Sequence, residues 1–83
     1  MSHPHFIDVH VGKRLREFRE AKRLSQIDLA SAQAIAFQQV QKYENGHNRI
    51  SASRLHVAAY FLKVPVADFF ERLDDSAPEG LSG

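Results

Sequence analysis

The chain has 83 residues and no cysteine, which limits it to one domain with a small core and excludes a disulfide framework or a Cys-based zinc finger. No apolar run approaches a membrane span, and the start MSHPHFIDVH lacks the basic opening and apolar centre of a signal peptide, so a cytoplasmic protein is expected. The net charge of +1 hides an asymmetry, with ten Lys/Arg against five Asp/Glu in residues 1–63 and Arg72 alone against Asp68, Glu71, Asp74, Asp75 and Glu79 in residues 64–83. A basic body with an acidic end suits a surface that faces phosphates, and an ordinary solvated surface would carry the same charges.

Residues 1–8 read as a flexible leader. Val11, Leu15 and Phe18 then recur at i, i+4 and i+7, so a first helix is expected from about Val9 to Lys22. Ser25 with Asp28 forms an N-cap pair that opens a second helix through about Gln33. A third helix should span Phe37 to Glu44 and stop before Gly46. Ser51 caps a fourth helix, which must end before Pro65 because proline removes a donor and disfavours helix at the residue preceding it. Val66 to about Arg72 makes a short fifth helix, and residues 73–83 read as a disordered acidic tail. The expected class is all-α, with one folded domain at residues 9–72. Its core should gather Leu15, Phe18, Leu24, Leu29, Ala30, Val40, Leu55, Ala58, Leu62, Val66 and Phe69. The small Ala30 would let the second and third helices approach closely at their corner.

The third helix carries the chemistry. Gln38, Gln39 and Gln41 crowd its two turns, with Lys42 beside them. A glutamine amide offers a donor and an acceptor in one plane, which matches the N6/N7 edge of adenine in the major groove. That pattern points to a DNA reader, and a plain solvated helix face is the alternative for the glutamines taken alone.

The surrounding residues carry a resemblance. SQxxLA, a turn, and a helix closing in YENG resemble the helix-turn-helix of the phage repressor and Cro family, also called the xenobiotic-response-element type. The likeness runs from about Val11 to Phe70 and takes in GKRLREFR and SRLHVAAYFLKVPVADFF. It implies a compact five-helix domain, with helices 2 and 3 as the helix-turn-helix, that binds operator DNA as a dimer. The family's base-contacting positions fall on Phe37, Gln38 and Lys42, with Gln39 and Gln41 near enough to assist. Gln38 is the first choice for a bidentate adenine contact, and Lys42 suits a guanine edge or a phosphate. Phe37 is open to two readings, contact with a thymine methyl or packing back onto the protein. Gln26 matches a glutamine that contacts phosphate and steadies the third helix, and Asn45, Asn48 and Arg49 follow in a loop that can track the same strand. Lys13, Arg14 and Arg16 are weaker backbone candidates. The matching arginine and glutamate, Arg19 and Glu44, are implied to pair beneath the surface.

The turn departs from the family. Ala34 stands where a glycine is usual, Ala36 where a serine or threonine caps the third helix, and Gln33 where an apolar residue is common. These departures predict a looser or rearranged turn, an extended second helix being one form of it.

Val57, Tyr60 and Phe61 form an apolar strip beside the buried face of the fourth helix. With Phe70 they are expected at a two-fold homodimer interface matched to a pseudo-palindromic operator, or else they complete the core. His3, His5 and His10 lack the convergent partners of a metal site, His47 sits in the DNA-side loop, and His56 lies on a helix surface. No cofactor or metal is expected, and no nucleophile, phosphate loop or paired carboxylates suggest an enzyme. The leading reading is a transcriptional repressor. The alternatives are an antitoxin bound to a toxin partner and autoregulating its operon, or a protein-interaction module that has lost DNA binding.

Overall fold

The first helix of the computed structural model, which describes residues 5–73, begins at Phe6 and not at about Val9. This helix, α1 (Phe6–Ala21), starts early because His5 acts as its N-cap, its Nδ1 accepting the Ile7 amide at 3.2 Å. Asp8 in the first turn complements the positive end of the helix dipole. Phe6, Ile7 and Asp8, expected in a leader, are therefore part of the helix.

Helices α2 (Gln26–Gln33) and α3 (Phe37–Glu44) keep their expected bounds. A reciprocal capping box opens α2: the Ser25 hydroxyl accepts the Asp28 amide at 2.9 Å, and the Ser25 amide donates to the Asp28 carboxylate at 2.8 Å. The bond from the Ser25 amide and, after it, hydrogen bonding from the Ser25 side chain to the carboxylate hold the Asp28 carboxyl below its ordinary value of 3.8. The cap is therefore fully present above the ordinary value and weakens as pH falls through the depressed one. Helix α4 (Ala52–Leu62) is capped by Ser51, whose hydroxyl accepts the Arg54 amide at 3.2 Å.

The expected fifth α-helix is instead a 3₁₀ segment, Val66–Phe70, so the described residues hold four α-helices. Side chains of α1 take up the carbonyls that a longer helix would use. Arg14 Nε donates to the Asp68 carbonyl at 3.1 Å, and His10 Nε2 lies 2.7 Å from that of Glu71. The tail beyond Leu73 lies outside the described residues.

The helices close around Leu15, Leu29, Val40, Leu62 and Phe69, all fully buried, with Val11, Ala30, Tyr43, Leu55, Ala58 and Ala59 completing the core. Phe18 and Leu24, expected inside, are partly buried against it. Val66 is a correction: at the entry to the 3₁₀ segment it remains 37% exposed, because one short turn seats one bulky side chain and Phe69 occupies that seat. Helix α1 meets α3 at Gly12, where an added Cβ would lie 2.1 Å from the Tyr43 carbonyl oxygen.

The turn between α2 and α3 is neither rearranged nor absorbed into a longer α2. Ala34 adopts the left-handed conformation (φ 56°, ψ 42°) that a glycine would adopt. The Ile35 amide returns to the Ala30 carbonyl at 3.0 Å and the Ala34 amide to that of Ser31 at 3.2 Å. Ala36 is extended and offers α3 no side-chain cap. Two stabilising substitutions follow. Ala34→Gly relieves a left-handed penalty of about 1–2 kcal/mol, less about 0.4–1 kcal/mol of added unfolded-chain freedom. Ala36→Ser adds a cap worth about 1 kcal/mol. Each is expected to raise Tm by several degrees in a thermal melt followed by circular dichroism, and a fall for Ala34→Gly would contradict the left-handed turn.

Candidate nucleic-acid interface

Helix α3 divides cleanly between an inner and an outer face. Val40 and Tyr43 are buried and fix its rotation, while Gln38, Gln41 and Lys42 are exposed and Gln39 is half-buried. Phe37 is 38% exposed at the head of the helix, which disfavours the reading in which its ring tucks into the core.

A buried ion pair fastens the far end of α3. Arg19 Nε donates to Glu44 Oε2 at 2.7 Å and its Nη2 to Oε1 at 3.0 Å, a bidentate fork with both side chains nearly out of solvent. The Glu44 hydrogen bond outweighs burial and holds the Arg19 guanidinium pKa above its ordinary value. A third guanidinium bond, from Nη1 to the Leu24 carbonyl at 2.8 Å, ties in the link between α1 and α2.

Gln26 joins this cluster, its Nε2 donating to Glu44 Oε1 at 3.0 Å. This bond ties the first turn of α2 to the end of α3. Gln26, Gln41, Glu44 and Asn45 line a polar hollow of about 440 Å³ together with Arg16, which the sequence ranked as a weaker candidate. Arg14 is drawn elsewhere, stacked 4.5 Å over the Phe18 ring and paired with Glu17 and Glu71. Lys13 is exposed on α1 with no site geometry around it.

After α3 the chain folds back, the amides of His47 and Asn48 both donating to the Lys42 carbonyl, at 3.0 and 3.2 Å. Arg49 is exposed, but its Nε sits 3.1 Å from the carboxylate of Asp8, a residue the sequence places in a leader. His47 and His56 are exposed and His10 is buried at the α1–3₁₀ junction, while His3 lies outside the described residues. Among the described residues no three His, Cys, Asp or Glu are grouped to hold a metal, and no helix is long and apolar enough to cross a membrane.

The family model described as helix-turn-helix matches residues 15–69. The chain belongs to the phage repressor and Cro-type helix-turn-helix family. Among relatives of this helix-turn-helix chain, a transcriptional regulator in the ATPase CF(0) region of Rhodospirillum rubrum is 50% identical over 74 residues, 89% of this chain and 68% of that one. The HTH-type transcriptional regulator y4wC of Sinorhizobium fredii is 48% identical over 68 residues, 82% of this chain but 48% of its own, so the chain spans about half of that relative. Two solved structures share the fold. The restriction-modification controller protein C.AhdI of Aeromonas hydrophila superposes with a TM-score of 0.70 at 34% identity, covering 75% of this chain and 94% of its own. The clp gene regulator ClgR of C. glutamicum gives 0.78 at 25% identity, covering 93% and 99%.

On this helix-turn-helix scaffold the apolar strip of α4 is open. Tyr60 is 82% exposed, Val57 and Phe70 are also exposed, and Phe61 is half-buried against the core. Val57, Tyr60, Phe61 and Val64 line one apolar groove with Ala32 of α2. Asp8, the closeness of Arg16 to the hollow beside α3 and the burial of Gln33 emerge only in the structure. The first two depend on contacts between distant segments. Gln33 had a signal, since it occupies a position where the family is usually apolar.

Proposed function

We propose that this regulator binds double-stranded DNA sequence-specifically as a cytoplasmic homodimer, reading a pseudo-palindromic operator through α3 and repressing transcription. The observation that carries the reading is α3 itself, with Gln38, Gln41 and Lys42 outward over an inner face locked by Val40, Tyr43 and the Arg19–Glu44 fork. A reading helix must be rigid before its side chains can discriminate, and this one is held along its inner side and at its C-terminal end. Gln38 and Lys42 contact base edges, Phe37 a thymine methyl, and Gln39 and Gln41 assist. Arg16, Gln26, Asn45, Asn48 and Arg49 face phosphates. Val57, Tyr60, Phe61 and Phe70 form the two-fold contact. The names of the neighbours, a controller protein and a gene regulator, support the same class.

Selection from a randomised duplex pool at two salt concentrations tests this. The wild type is expected to enrich a palindromic site with affinity that falls as salt rises. Gln38→Ala should lose about 1–3 kcal/mol of discrimination at one base pair per half-site while keeping its non-specific binding. No enrichment at low salt would leave a protein-interaction module on the same scaffold.

A further inference from the structure

Arg54 occupies a position its own helix does not favour. It lies in the first turn of α4, where the helix dipole prefers an anion and where this helix has no acidic residue. Its guanidinium reaches out of α4 to the end of α2, where Nη1 donates to the carbonyl of Gln33, the last residue of that helix. The carbonyls at a helix C-terminus have no partner within the helix, and a cation there also meets the negative end of the dipole. Helix α2 carries no basic residue of its own in its last turn. The contact is returned, because Gln33 Nε2 donates to the Arg54 carbonyl at 3.0 Å.

The clasp closes over a joint with two local weaknesses. Immediately after Gln33 the chain turns through left-handed Ala34, and α3 then begins without a side-chain cap. We propose that Arg54 is a positioning residue for DNA reading: by capping α2 from α4 it holds the Ala34 turn and so sets the angle at which α3 meets the groove. The chain thus replaces the usual glycine and cap with a cation supplied from a distant helix. Arg54 contacts no base and acts only through the turn. The proposal rests on α3 being the reading helix.

Amide hydrogen exchange and DNA selection on Arg54→Met test it, since methionine keeps an apolar stem and removes the donor. Exchange at Ile35, whose amide crosses the turn to Ala30, is expected to quicken at least tenfold, while core amides of α1 change no more than global stability requires. Discrimination at the Gln38 base pair should fall at least threefold with the salt slope unchanged, because no phosphate contact is lost. Gln33→Leu keeps the backbone acceptor and removes a buried Oε1 that has no protein partner, so it should leave Ile35 protected. Arg54→Lys, which keeps the charge and is the arm that decides if Arg54→Met does not fold, should exchange faster than wild type and slower than methionine. Wild-type exchange at Ile35 in whichever Arg54 variant folds overturns the proposal, as does equal opening in Gln33→Leu. If the wild type selects no DNA, the reading function fails while the exchange experiment still decides the clasp.

Discussion

Gly12→Ala is expected to be the most damaging single-methyl change in the domain. The added Cβ would stand 2.1 Å from the Tyr43 carbonyl oxygen and 3.1 Å from both the Tyr43 carbonyl carbon and the Glu44 carbonyl oxygen. All three are backbone atoms of α3, so no side-chain rotation relieves the overlap and the two helices must separate. Overpacking with side-chain relief costs about 1–3 kcal/mol; with rigid backbone as the obstacle, the loss should exceed about 3 kcal/mol. Helix propensity works in the opposite direction and favours alanine by only about 1 kcal/mol. Urea denaturation followed by circular dichroism reads the loss directly. A variant within about 1 kcal/mol of wild type would show that α1 and α3 do not approach as closely as described.

The Arg19–Glu44 fork gives the second large effect. Removing either partner strands a charge that has almost no solvent, and Arg19→Met or Glu44→Gln should cost about 3–5 kcal/mol each. The double replacement Arg19→Met/Glu44→Leu should cost much less than the two losses added, because it leaves no unpaired charge. The exposed Arg16–Glu20 pair, with side chains 62% and 53% exposed, is the internal control when broken at Arg16, because Glu20 also lies 3.9 Å from Arg19. Its removal should stay within about 1 kcal/mol and fade with salt, whereas the buried fork should respond little to salt. Additive losses across the Arg19–Glu44 cycle would mean that the two charges are solvated independently.

Local rules carried much of this fold. Ser25 with Asp28, Gly46 and Pro65 are punctuation whose effects act within a few residues, and α2 and α3 accordingly begin and end where such rules place them. The first helix was placed too late because its N-cap is a histidine, outside the usual Ser, Thr, Asp and Asn. The fifth helix was assigned the wrong type because the competition for its carbonyls comes from Arg14 and His10, more than fifty positions earlier. The turn keeps its geometry for the same reason, since Arg54 lies beyond the reach of local rules. At the site, the outward placement of Gln38, Gln41 and Lys42 follows from helical period. The bracing of Gln26 by Glu44 and the capture of Arg49 by Asp8 required the tertiary structure.

The Arg49–Asp8 pair has a consequence for ionic strength. A lysine or arginine that meets a phosphate from free solution displaces a condensed counterion, and each such displacement adds about 0.9 to the slope of log affinity against log salt. Arg49 already has a resident anion in Asp8, which is only 16% exposed. If Arg49 swings to a phosphate it gives up that ion pair, and a lone carboxylate, unlike the DNA backbone, holds no condensed counterion to offset the ion released. An Arg49–phosphate contact therefore counts fully in a salt titration while adding less affinity than a cation with no resident partner, so the slope overstates what it contributes to binding.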